Sequence, residues 1–137
     1  MTMDVLLALA KTTYNQAFDL VEAGEGLKAL ELAATSLHLW RQVGTDKNVA
    51  IGLWLYSRAL LGVGAKQAAI EAVTESVRLA KLDGTDWLIA SGLEGLARAT
   101  AGTFDFEANR AAAAKAIATI ADPEDRQLIE SQFADLA

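Results

Sequence analysis

The chain has no cysteine, one histidine and one proline among 137 residues. The missing cysteine excludes disulfides and thiolate metal sites and fits a reducing compartment. A single histidine, His38, leaves no Ser-His-Asp set to assemble. A metal site would have to be built from carboxylates alone. Basic clusters are also missing. Twelve Lys and Arg are scattered singly in a chain of net charge −6, so there is no stripe to meet a phosphate backbone, and no nucleic-acid partner is expected. Long apolar runs are absent too. The longest uncharged apolar stretch, Val49 to Tyr56, is far short of a membrane span. The opening MTMDVLLALAK carries Asp4 where a secretory signal needs positive charge. A soluble, cytoplasmic chain without cofactor, membrane or catalytic role is therefore expected.

What the chain does have is apolar residues, 53% of the total, and abundant alanine without alternating β-branched runs. This composition favours helices. Seven helical segments are predicted: Met3 to Ala23, Gly26 to Val43, Asp46 to Val63, Ala65 to Leu82, Asp86 to Ala101, Phe104 to Ala121, and Pro123 to the C-terminus. Gly24, Gly44, Gly64, Gly84 and Gly102 stand just past helix ends, where a left-handed residue commonly stops a helix. Thr45 or Asp46, and again Thr85 or Asp86, are candidate N-caps. Pro123 suits a first turn, with Glu124 and Asp125 at the positive end of the dipole; Asp122, Glu124 and Asp125 are capping charge rather than a cation loop. Breaks this short predict antiparallel neighbours.

The chain also repeats itself. GTDKNVAIGL at residues 44–53 returns as GTDWLIASGL at residues 84–93. Residues 30–62 laid over 70–102 without a gap share twelve identities. They are Glu31/Glu71, Ser36/Ser76, Leu39/Leu79, Gly44/Gly84, Thr45/Thr85, Asp46/Asp86, Ala50/Ala90, Gly52/Gly92, Leu53/Leu93, Arg58/Arg98, Ala59/Ala99 and Gly62/Gly102. The same offset carries Leu88 and Ile89 onto Leu128 and Ile129, and Trp54 back onto Tyr14. The chain is thus about three and a half copies of a forty-residue helix pair. A fixed period of this size predicts a solenoid over residues 1–137, with each unit burying its apolar face against the next. Gly52 and Gly92 lie inside helices at a cost of about 1 kcal/mol each relative to Ala, which predicts a close neighbour there.

With Gly24-Glu-Gly-Leu-Lys-Ala29-Leu30 and Gly64-Ala-Lys-Gln-Ala-Ala69-Ile70, a turn glycine followed at fixed distance by Ala-Leu or Ala-Ile, the chain resembles the tetratricopeptide repeat family. It departs from that family in its period of forty against roughly 34 residues. It departs again in a third unit where Thr103-Phe104-Asp105-Phe106 disturbs the turn and Asn109 or Arg110 replaces Ala-Leu. The resemblance implies an all-α, right-handed superhelical solenoid of about seven antiparallel helices. It also implies a groove, lined by the first helix of each pair, that binds a peptide or helix of a partner protein.

Carried onto this chain, the groove would hold Lys11, Tyr14, Phe18 and Val21, then Trp54, Arg58 and Leu61, then Glu94 and Arg98. Arg58 and Arg98, one repeat apart, suit an acidic group of the partner. The same residues also fit a structural role: Tyr14, Phe18 and Trp54 as core, and the arginines as partners of Glu31, Glu71 or Glu94. Two other functions are open. One is a self-associating homodimeric scaffold, drawing on surplus apolar residues of the first helix such as Val5, Leu6, Leu7 and Leu9. The other is a small-ligand sensor with a pocket between Trp40, Trp54 and Trp87.

Overall fold

Residues 2–137 are described by a computed structural model. Among them the chain is all-helical, with seven helices and no strand. The helices are α1 Met3–Glu22, α2 Gly26–Val43, α3 Asp46–Gly62, α4 Lys66–Asp83, α5 Asp86–Ala99, α6 Phe106–Ala118 and α7 Pro123–Phe133. No helix among the described residues is long and apolar enough to cross a membrane. Each helix packs on its successor. In addition α3 touches α1 and α5, and α5 touches α7, whereas α2, α4 and α6 do not touch one another among the described residues. The odd-numbered helices therefore form a layer of their own.

The buried side chains form three successive clusters rather than one centre. The first joins Ala17, Ala29, Ala33, Trp54, Leu55 and Ala59 across α1–α3. The second is built around Leu53, Val73 and Leu88 from α2–α5, and the third around Ile117, Ile129 and Phe133 from α5–α7. Small residues set the spacing. The Ser36 hydroxyl donates to the Ala10 carbonyl (2.8 Å), and forty residues on the Ser76 hydroxyl donates to the Ala50 carbonyl (2.6 Å). The sequence repeat is thus also a repeat of one buried hydrogen bond. A Cβ on Gly52 would lie 3.1 Å from Trp40 Cδ1, and one on Gly92 would lie 3.1 Å from Val77 Cγ2, with helix backbone a little further off. Direct backbone-on-backbone approach occurs elsewhere: a Cβ on Gly26 would lie 2.8 Å from the Gly62 carbonyl oxygen.

The two Gly-Thr-Asp hinges differ despite their common spelling. Gly84 is left-handed (φ 86°) and so are Gly24, Gly64 and Gly102, but Gly44 is extended (φ −94°, ψ 179°). The expectation of a left-handed stop at Gly44 is therefore corrected. Glycine is needed there because a Cβ would lie 2.7 Å from the Trp40 carbonyl oxygen and 2.9 Å from Asn48 Cβ. Thr45 closes a capping box with Asn48. Thr85 caps nothing; its hydroxyl donates to Asp83. Asp86 instead accepts from the Ala121 amide (3.0 Å), tying the start of α5 to the turn before α7.

The fifth and sixth helices are shorter than predicted. Thr100 turns its hydroxyl back to the Leu96 and Ala97 carbonyls and accepts from the Asn109 side chain (3.0 Å). The chain leaves helix after Ala99, re-enters at Phe106, and leaves Phe104 fully exposed between them. Pro123 opens α7 as expected, with Asp122 accepting from the Glu124 and Asp125 amides, but the helix ends at Phe133 rather than at the C-terminus.

Because only one of the two hinge threonines caps a helix, Thr45→Ala should cost about 1 kcal/mol, the usual value of an N-cap. Thr85→Ala should cost much less. Urea denaturation of the two variants checks this, and equal losses would contradict it.

Candidate functional site

Glu94 is the polar residue that this fold buries most completely, at 0% exposure. It projects from α5 toward α3 because it occupies, one repeat later, the position of Trp54. Its Oε1 accepts from the Trp54 indole N–H (3.3 Å). Its Oε2 accepts from Arg98 Nε (2.8 Å) and, at longer range, from Arg58 (3.4 Å). Gly95, the next residue, makes room for this arrangement. A Cβ there would lie 2.9 Å from Trp54 Cδ1 and 2.8 Å from Val73 Cγ2. Removing a carboxylate from water costs several kcal/mol, which only charge-assisted hydrogen bonds of this kind offset.

Arg98 passes the contact on. Its two terminal nitrogens meet Asp135 (2.6 and 2.8 Å), and one also donates to the Gln132 carbonyl (2.9 Å). The bond to Asp135 raises Arg98 above the ordinary guanidinium value; hydrogen bonding to Arg98 in turn holds Asp135 below the usual carboxylate range. Arg58 is less well matched. It lies 5.2 Å from the Trp54 ring centroid, a cation–π distance. Burial pushes it below the ordinary guanidinium value, with Glu94 opposing that shift. Of the three internal partners open to the arginines, Glu94 is the one used.

Phe18 stacks on Trp54 with ring centroids 6.4 Å apart. Tyr14 lies beside them, its hydroxyl pushed up to about 12 by burial, against a smaller opposite pull from Arg58. Two hollows that share Phe18, Leu128 and Gln132 in their walls result. One is an aromatic cavity of about 220 Å³ between Tyr14, Phe18, Trp54, Trp87, Leu128 and Gln132. The other is an open groove of about 540 Å³ lined by Phe18, Glu22, Arg58, Arg98, Leu128 and Asp135. Apart from Ser76 of α4, every helical residue lining them belongs to an odd-numbered helix, and Ala134 and Asp135 follow α7.

Six of the nine residues assigned to the groove from sequence come together here: Tyr14, Phe18, Trp54, Arg58, Glu94 and Arg98. Lys11 is exposed and apart from both hollows; Leu61 is half-buried against the second core cluster, and Val21 lines a small separate hollow. Trp40 does not join Trp54 and Trp87. It is buried behind α3, against Gly44 and Gly52, so the three-tryptophan pocket is replaced by one with two. The contributions of α7, from Leu128, Gln132 and Asp135, were missed. For Leu128 the signal was present, since the forty-residue offset carries Leu88 onto it; for Gln132 and Asp135, whose partners depend on how α7 docks, it was not. His38 is exposed and hydrogen-bonds Gln42 (2.8 Å). Among the described residues no cluster of His, Asp and Glu is arranged to hold a metal ion.

The depressed ionisation of Asp135 fixes the sign of a pH effect. Its stabilisation is complete above the unfolded value of about 3.9 and is lost as pH falls through the lower folded value. Asp135→Asn should therefore be less stable than the parent above about pH 5, and the gap should narrow as pH falls below about 4. Thermal melts across this range test it; a gap independent of pH would contradict the assignment.

Compared with protein-family models, with curated proteins and with solved structures, the chain matches none.

Proposed function

We propose that the chain is a protein-binding module, an adaptor or assembly factor that grips a peptide or helix of its partner in the groove of the odd-numbered helices. The architecture that goes with this reading is a right-handed, antiparallel, tetratricopeptide-like solenoid of helix pairs. Three features support it: packing of each helix on its successor, the odd-numbered layer, and the Ser36 and Ser76 hydrogen bonds repeated forty residues apart. The observation that carries the functional reading is the convergence of Tyr14, Phe18 and Trp54 with Arg58 on that one layer. Aromatic and arginine side chains are the usual anchors of an interface.

Charge shifts the expected partner. Arg98 is matched by Glu94 and Asp135, and Glu22 adds a further carboxylate beside Arg58. The groove is not an anion trap, and Asp135 already fills the place of an incoming carboxylate. Apolar anchoring, with Arg58 as the remaining polar contact, fits better than recognition of an acidic group. Self-association is the second reading, favoured by exposed Met3, Val5 and Leu9 on α1. The rest of that open face, Thr12, Asn15, Gln16 and Asp19, is polar, as the end of a repeat array requires.

Leu128 in the groove and Leu82 on α4 are similarly exposed, which allows a matched test. A photo-reactive benzophenone side chain at position 128 should give discrete protein adducts in native extract, and one at position 82 should not. Equal labelling at both, or none at 128, would sink the proposal; an adduct to a second copy of the chain would transfer it to the homodimer.

A further inference from the structure

The charges around the groove do not balance. Two guanidiniums, Arg58 and Arg98, stand against four carboxylates, Glu22, Glu94, Asp125 and Asp135. Glu94 pairs with both arginines, and Asp135 takes the outer nitrogens of Arg98, so the cations are answered within the chain. Glu22 and Asp125 form no ion pair among the described residues. Glu22 is exposed and Asp125 half-buried. Lys47 sits over the Trp87 ring at 5.1 Å but lines none of the hollows on this face. Within a chain of net charge −6, the groove therefore has an acidic excess of its own.

The two free carboxylates border apolar surface. Asp125 edges a small hollow of about 180 Å³ with Trp87, Leu128 and Ile129. Leu128 and Ile129 lead on into the aromatic cavity, and Leu128 and Gln132 into the open groove that holds Glu22. Three hollows thus follow one another along α7, a helix of eleven residues and about 16 Å. A surface of this length fits a polypeptide segment. Long basic side chains match its chemistry, because their methylene stems lie on apolar surface while the charge reaches a carboxylate at the edge. An acidic segment would instead meet two unanswered like charges, which disfavours it. We propose that the groove docks a basic, amphipathic segment of a partner protein, its apolar side chains entering the hollows and its Lys or Arg side chains pairing with Glu22 and Asp125. The proposal rests on the protein-binding reading of the groove and names the charge that the groove selects.

The test selects displayed random peptides of about twelve residues, about 18 Å as a helix, on the full chain. Enriched peptides should combine apolar residues with net positive charge, and the tightest should shift the Leu128 methyl resonances. The affinity of that peptide should fall about fivefold when Glu22→Gln is combined with Asp125→Asn, the factor for two partly exposed ion pairs, with the helical circular dichroism unchanged. Glu31→Gln combined with Glu71→Gln removes the same charge from exposed positions on α2 and α4 and should leave the affinity as it was. Equal losses in the two double variants would overturn the proposal, by assigning the selection to net charge alone. Neutral or acidic peptides that shift Leu128 would overturn it too, while leaving the protein-binding reading in place. No enriched peptide, or none that shifts Leu128, would remove both.

Discussion

A carboxylate with no access to water constrains everything around it. Glu94 must find donors for both oxygens, and it finds them on two helices: Trp54 and Arg58 of α3, and Arg98 of its own α5. Arg98 then has donors left over, and Asp135 and the Gln132 carbonyl at the end of α7 take them. One buried charge thus joins α3 to α5 directly and α7 through a guanidinium. The contacts are directional, so they fix orientation as well as proximity. The absent side chain of Gly95 is part of the same constraint, because it lets Trp54 lie flat enough on α5 to reach the carboxylate.

The repeat explains why these groups meet. Positions 14, 54 and 94 are equivalent, and so are positions 18, 58 and 98. In a stack of similar units equivalent positions form columns, here Tyr14–Trp54–Glu94 beside Phe18–Arg58–Arg98. Neighbouring members interlock across the columns, Phe18 on Trp54 and Arg58 over Trp54 and against Glu94. The first copy contributes only aromatic rings and the later ones only charge with one indole. These two columns therefore grade from aromatic at α1 to charged at α5.

Much of the fold was legible because it is local and periodic. Turn glycines and the forty-residue offset place all seven helices, with ends misjudged by a few residues where Thr100 and Asn109 build a turn of their own. The difference between Gly44 and Gly84 was not legible: it is set by Trp40 and Asn48 crowding one glycine and not the other, and identical triplets conceal that. Of the site, the residues one repeat apart were legible as a set, and Glu94 was one of three internal partners open to the arginines. Asp135 and Gln132 were not, because their roles depend on where α7 docks, which is a matter of long-range packing rather than of period. Trp40 was misplaced for a related reason. Its helical position predicts burial, but only the close approach at Gly52 decides on which side of α3 it is buried.

Hydrogen exchange of Glu94→Gln is the most direct test of the Glu94 hub. Gln keeps the shape but removes the charge, leaving Arg58 and Arg98 close together without the anion between them. If the buried carboxylate holds the odd-numbered layer together, amides of α7 should exchange at least about tenfold faster than in the parent chain, as loss of about 1.4 kcal/mol of local protection gives, while those of α1 and α2 keep their protection. Unchanged protection across α7 would contradict the account.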